Sequence, residues 1–165
     1  MHISSHETMK KFLSDFDVNQ KLKVLDVGSL ALNSTLTYRT LMSENWQYIG
    51  LDIVGGPNVD VVTENVYKYP FVNCYFDIII SGQCMEHVPQ IWTWMDELYR
   101  LLKPGGSICI IAPSAGKEHT NADFWRIMPQ GMSYIMEWAG LKVKEVFLVG
   151  NPKWNDCVGI AERIQ

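Results

Sequence analysis

The sequence predicts an α/β protein: a doubly wound, mostly parallel sheet of seven strands that carries an antiparallel hairpin at one edge. Two observations predict it. Short β-branched runs alternate along the chain with segments whose apolar residues recur at helical spacing. The last two runs, 141–149 and 157–163, follow one another with no helical segment between them, which calls for an antiparallel pair. With 165 residues, 47% of them hydrophobic and 19% charged, the chain has apolar material for one core. It reads as a single domain over 1–165, with an N-terminal helical segment in 1–20 and the core in 22–163.

The elements follow in order. Ser4 and Glu7 fit a capping box, and Met9, Phe12, Leu13 and Phe16 make one apolar face, so a helix is expected over 4–16, packed on the sheet or partly covering the site. Residues 21–27 form the first strand, which ends at Asp26-Val27-Gly28. Asn33 or Ser34 then caps a helix running to about Ser43. Strands are expected at 48–52, 59–62 and 76–81. A helix over 91–102 buries Trp94, Leu98, Leu101 and Leu102 and is stopped by Lys103-Pro104-Gly105-Gly106. A fifth strand at 107–112 and a helix at 130–139, ended by Gly140, lead into the hairpin.

Composition excludes several function classes. The net charge is −4, and no basic run exceeds Lys10-Lys11, so nucleic acid is not an expected partner. No apolar run approaches the ~20 residues of a membrane span, and the N-terminus lacks a signal-like apolar stretch. Cys74, Cys84, Cys109 and Cys157 form no C-x-x-C pair and no zinc spacing. Reduced thiols in a cytoplasmic setting are the expectation.

Ligands of open α/β sheets bind at the carboxyl ends of the strands. Gly28 follows the first strand and lets the backbone approach a ligand closely. Asp52 ends the second strand, roughly 20 residues on, where a carboxylate accepts from both hydroxyls of a ribose. The turn after Asp26 is Gly-Ser-Leu-Ala-Leu-Asn rather than G-x-G-x-x-G, which argues against a pyrophosphate and for a nucleoside without phosphate.

Val24-Leu-Asp-Val-Gly28, Tyr48-Ile-Gly-Leu-Asp52, Phe76-Asp-Ile-Ile-Ile-Ser81 and Leu101-Leu-Lys-Pro-Gly-Gly106 together resemble the successive motifs of class I methyltransferases, nearest to the Methyltransf_11-type group. The resemblance covers 22–163 and implies a Rossmann-like fold that binds S-adenosylmethionine and releases S-adenosylhomocysteine. Glu86-His87 and the stretch from His119 to Arg126 match features of some members. By this resemblance Asp26, Gly28 and Ser29 lie against the methionine end of the cofactor. Asp52 holds the ribose, and Ile53 packs on adenine. Thr63, Glu64, Asn65 and Val66 stand at the adenine edge, with Glu64 accepting from its amino group. Ser81, Gly82 and Gln83 pass the methyl-bearing end.

Methyl transfer to a hydroxyl needs a positioned nucleophile and a group that takes its proton. His87 and His119 are the candidate bases, since imidazole titrates near neutrality. The alternative for His87 is a structural hydrogen bond at the start of the helix. Glu86, Asp123, Trp125, Arg126 and Trp154 are candidate acceptor contacts. Arg126 either clamps an anionic group of the acceptor or caps a helix, and Asp156 reads as a surface turn. Cys84 has no activating partner nearby in sequence, and the carboxylates show no metal pattern, so no metal is expected. The leading expectation is O-methylation of a small molecule or sugar-containing substrate. Three other readings stay open: N- or C-methylation; a cofactor-binding subunit or scaffold without activity of its own, or one that depends on a partner protein or a homo-oligomer; and a nucleic-acid methyltransferase, against which the charge counts.

Overall fold

The computed structural model describes residues 3–31, 36–118, 122–151 and 153–164. Its strands are β1 (Lys23–Val27), β2 (Gln47–Asp52), β3 (Val61–Val62), β4 (Phe76–Gly82), β5 (Leu102–Ala115), β6 (Leu141–Asn151) and β7 (Trp154–Arg163). Its α-helices are α1 (Ile3–Leu13), α2 (Ile91–Leu101) and α3 (Pro129–Trp138). The strands form one sheet in the order β3-β2-β1-β4-β5-β7-β6. β1 pairs in parallel with β2 on one side and β4 on the other. The order therefore reverses between β1 and β4, and their carboxyl ends open the crevice where such sheets take ligands. β7 runs antiparallel to both β5 and β6, which gives the expected hairpin.

Both faces of the sheet are covered, because successive strand residues point to opposite sides. Leu25, Val27, Ile79, Ile108 and Ile110 pack in one cluster with Trp94, Met95 and Leu98 of α2 and Met132 and Met136 of α3. Val24, Ile78, Ile80, Cys109 and Ile111 pack on the other face with Met9, Phe12 and Leu13 of α1 and with Tyr38 and Trp46. The Ser5 hydroxyl lies 2.7 Å from that of Tyr38, so α1 reaches the wall of the crevice.

The connection from β3 to β4 contains no helix and is held by α2 instead. Arg100 donates to Glu97 Oε1 and Oε2 at 2.6 and 2.7 Å, to Phe71 O at 2.9 Å and to Asn73 Oδ1 at 2.7 Å. Glu97 Oε1 in turn accepts from the amide of Tyr69 at 2.6 Å. One ion pair thus anchors a loop that would otherwise leave backbone groups unpaired over the core.

Four expectations about local structure change. α1 starts at Ile3, so Ser4 lies inside it rather than capping it. Where a helix was expected after β1, the described residues contain only a 3-10 turn at Tyr38–Leu41, which Met42 ends in extended conformation; Asn33 and Ser34, its expected caps, lie outside the described residues. β3 is two residues long, because Asn58 has φ +72° and bends the chain just before it. Leu102 pairs with Phe76 and already belongs to β5, so α2 ends one residue early.

Candidate active site

A cleft of two lobes opens at the carboxyl ends of β1, β2 and β4, and Gly28, Leu30 and Gln83 border both lobes. The larger lobe, about 420 Å³, is walled by Asp52, Ile53, Thr63, Val66, Cys84 and His87 among others. The smaller, about 190 Å³, holds Asp26, Ser29, Tyr38, Asn58 and Gly82. A wider groove of about 550 Å³ runs between α1 and β6, but it lies away from the strand ends that carry these groups.

Gly28 makes the cleft possible. Its φ is +78°, and a Cβ there would sit 2.5 Å from Cys84 Cβ, so the loops after β1 and β4 cross at a point with no room for a side chain. Gly28→Ala is expected to lower stability by about 1–3 kcal/mol and to weaken nucleoside binding. Cys84→Ala does not rescue it, because the collision is with the Cβ that alanine keeps. Thermal melts of the single and double variants test this; a wild-type melting point for Gly28→Ala would refute it.

Asp52 is held in place before any ligand arrives. Its Oδ2 accepts from Leu30 N at 3.0 Å and its Oδ1 from Val54 N at 3.2 Å. Each carboxylate oxygen keeps a further lone pair, so the pair can still accept from two hydroxyls. Asp26 is buried on β1 and its Oδ2 accepts from the Tyr48 hydroxyl at 2.5 Å. Asn58 donates to Tyr48 Oη at 3.0 Å and to Ser29 O at 2.8 Å, and Arg39 stacks 4.2 Å from the Tyr48 ring centroid and bonds Asn58 Oδ1 at 2.9 Å. Burial pushes the Asp26 carboxyl up to about 7; Asp52 adds to this, while Tyr48 and Arg39 oppose it. A cation reaching Asp26 would supply the counter-charge that burial removes. Ser29 Oγ and Gln83 Nε2 are buried without hydrogen-bond partners, and Gln83 has φ +58°. Two orphaned polar groups in the wall of a cleft, one on strained backbone, suit a polar ligand that accepts from them.

After β4 the chain turns through Met85–His87. His87 Nδ1 lies 2.6 Å from Ala122 O. A carbonyl only accepts, so the Nδ1 proton is in place and Nε2 is the basic nitrogen of the neutral ring. Nε2 stands 3.7 Å from Glu86 Oε1. Glu86 is fully buried, and burial pushes its carboxyl up to about 7, with its own backbone amide and Arg126 opposing the shift and Asp123 and Asp156 adding to it. Burial likewise raises the Cys84 thiol, which leaves it protonated and unfit as a nucleophile.

The expected site residues do not all meet at the cleft. Asp26, Gly28, Ser29, Asp52, Ile53, Val66, Gly82, Gln83 and His87 all border the cleft. Ser81 does not: its hydroxyl donates to Val27 O at 2.8 Å and clamps β4 to β1. Glu64 and Asn65 are exposed, and Asn65 Oδ1 accepts from Tyr67 N at 2.8 Å in a local turn. The neighbouring Thr63 is the buried polar group facing the cavity. Asp123, Trp125 and Arg126 border a separate depression of about 230 Å³. Arg126 donates to both Asp123 oxygens and to Gly116 O, Trp125 O and Lys117 O, so its five donors are engaged in fastening this loop. Trp125 Nε1 donates to Val88 O at 2.9 Å. Trp154 covers Gly116 and donates to Asp156 Oδ1 at 3.2 Å. His119 lies outside the described residues. Among those described, no three His, Cys, Asp or Glu gather as a metal site, and no helix is long and apolar enough to cross a membrane.

Sequence reading missed Leu30, Tyr38 and Asn58, and weighed Cys84 only as a nucleophile. Asn58 carried the one available signal, an asparagine beside Gly-Gly-Pro where positive φ is common.

Comparison with known proteins gives the cleft its context. Residues 25–110, more than half of the chain, match the family model described as a methyltransferase domain. The chain belongs to the class I, S-adenosylmethionine-dependent methyltransferase family. It is 35% identical over 100 residues to the chloroplastic 2-methyl-6-phytyl-1,4-hydroquinone methyltransferase of Spinacia oleracea, a match over 57% of this chain and 28% of that protein. The chain thus spans less than a third of that relative's length. Its fold is similar to a methyltransferase of Haloferax volcanii solved with the Trm112 activator, with TM-score 0.75 at 16% identity over 98% of this chain and 91% of the other. It is also similar to the 1,6-didemethyltoxoflavin-N1-methyltransferase of Burkholderia thailandensis with bound S-adenosylhomocysteine, with TM-score 0.75 at 15% identity over 98% and 79%.

The cleft fits S-adenosylmethionine. Asp52 would hold the ribose hydroxyls, with Ile53, Thr63 and Val66 at the base. Asp26, Ser29 and Gln83 would meet the charged amino-acid end, where the charge of Arg39 only partly offsets the burial of the carboxyl and the orphaned groups lack partners.

Proposed function

We propose that this protein transfers a methyl group to a hydroxyl of a small molecule, with His87 as the base. The observation that carries this reading is the fixed tautomer: Ala122 O holds His87 Nδ1 at 2.6 Å, so Nε2 is the unprotonated ring nitrogen, and His87 borders the cavity that contains Asp52. When bound, S-adenosylmethionine supplies an electrophilic methyl on a sulfonium. The protein's part is to hold the acceptor oxygen in line with that methyl and to take its proton. As Nε2 gains the proton, Glu86 stands beside the imidazolium that forms.

Chemistry and kinship support this acceptor class. The chain's net charge of −4 gives no footprint for nucleic acid, and the spinach relative is named for a hydroquinone, an aromatic diol. A phenolic or sugar hydroxyl suits a neutral imidazole base. His87→Ala is expected to lower turnover by about 10²–10⁴-fold and to leave S-adenosylhomocysteine affinity unchanged. Release of S-adenosylhomocysteine is followed with methylhydroquinone, catechol and simple hexoses as acceptors. Full turnover in the variant would sink the base assignment, and transfer only to amines would sink the hydroxyl acceptor.

A second reading has one supporting observation. The Haloferax neighbour was solved with an activator protein, so activity that appears only with a partner subunit belongs among the outcomes of this assay.

A further inference from the structure

We propose that the groove between α2 and α3 binds an aliphatic chain carried by the acceptor. The proposal rests on the acceptor reading above and adds the chemistry of the acceptor's tail. The groove holds about 480 Å³ and is lined by Ile91, Trp92, Gly131, Tyr134, Ile135 and Trp138. None of these is charged. Trp92, Tyr134 and Trp138 are 45%, 68% and 62% exposed, so three large rings border one trough on a surface open to water.

Gly131 is the second observation. It sits in the first turn of α3, where a glycine favours the helix less than alanine does. Other described glycines have a positive φ or a neighbour that a Cβ would touch. Gly131 has neither: nothing lies within 4 Å of the position its Cβ would occupy. The fold itself gives no reason for the missing side chain. Its effect is an open groove floor.

Position selects the occupant. Trp92 packs edge-on against Trp125 at 6.4 Å, Trp125 donates to Val88 O, and Val88 borders the cavity beside His87. Trp125 thus stands between the trough and the cavity beside His87, which share no lining residue, and the tail of an acceptor bound in that cavity would reach the trough past this ring. α3 has no Lys or Arg, and the chain is acidic, which counts against an anionic lipid surface. An uncharged chain attached to the acceptor satisfies both the apolar lining and the location.

The test compares methylhydroquinone with its decyl-substituted form, and adds 1-decanol as a chain without a ring. Tryptophan fluorescence reads binding to the wild type, Gly131→Leu and His87→Ala. The decyl compound is expected to bind at least about tenfold more tightly than the bare ring, roughly the worth of two buried methylenes. Gly131→Leu is expected to erase that difference, and His87→Ala to keep it. Equal affinity for the two rings, or an unaffected Gly131→Leu, overturns the proposal. Binding of 1-decanol that Gly131→Leu abolishes supports the groove even if neither ring is methylated, which separates its failure from failure of the acceptor reading. Self-association that Gly131→Leu abolishes, with no chain bound, makes a second copy the occupant and overturns the proposal.

Discussion

Asp52→Ala is expected to abolish measurable binding of S-adenosylmethionine and S-adenosylhomocysteine while the protein stays folded. Two charge-assisted hydrogen bonds to a diol are together worth about 3 kcal/mol or more, which corresponds to a loss of at least roughly a hundredfold in affinity. The carboxylate does more than meet the ligand. It ties down the amides of Leu30 and Val54, both of which border the larger lobe. Its removal leaves two amides without acceptors and loosens the wall of that lobe. Asp52→Asn separates these roles, since its single carbonyl can keep one amide but cannot accept from both hydroxyls. Titration calorimetry should therefore rank wild type, Asp52→Asn and Asp52→Ala in falling order, with NAD binding none of them. An Asp52→Ala protein that binds S-adenosylhomocysteine like the wild type would place the nucleoside elsewhere.

Glu86→Gln is expected to make the protein more stable and the enzyme slower. The folded-state carboxyl is raised from 4.5 to about 7, so between these values the native protein holds a proton that the unfolded chain has released. The associated stability is fully present below about pH 4.5 and is lost as pH rises through about 7. The loss amounts to about 3 kcal/mol. Glutamine has no proton to lose, so its advantage over the wild type should grow between pH 5 and pH 8. At roughly 2–4 °C per kcal/mol, the melting points should differ by several degrees at pH 8. Turnover should fall about tenfold, equivalent to about 1.4 kcal/mol of transition-state stabilisation, because the group beside His87 Nε2 can no longer carry charge. Parallel melting curves for the two proteins across this pH range would show that the Glu86 carboxyl is ionised in the folded protein as it is in the unfolded chain, and would refute the raised carboxyl.

The fold was legible wherever a residue's role depends on its neighbours in sequence. Ile78 to Ile80 read as a buried strand and Lys103-Pro104-Gly105-Gly106 as the end of a helix, although the structure carries these four residues on into β5 rather than starting that strand at Ser107. Asp26 and Asp52 were legible because strand ends place side chains at the crevice in any sheet of this kind. Tyr38 and Asn58 were not, because they arrive from loops whose paths depend on distant contacts. Tyr38 is fixed by Ser5 of α1, and Asn58 by Tyr48 and Arg39. The same limit applies to Arg126. Its spacing from Asp123 permits an ion pair, but nothing local reveals that three backbone carbonyls take its remaining donors. Glu86 looks like an ordinary polar residue beside a histidine until Phe124 and the loop around Asp123 close over it.

The strand order also governs how a newly made chain can assemble. β6 is synthesised before β7, yet β7 lies inside it, against β5. Until β7 leaves the ribosome, β6 has no sheet to join, and the apolar edge of β5 from Ile108 to Ala112 stands unpaired. α3 can gather on its helical neighbour in the meantime, but the last pairing must fill an internal slot. That interval is when the nascent protein is most exposed to edge-to-edge association, and Lys142 and Lys144, which meet Glu162 across the finished hairpin, give the waiting β6 a charged rim.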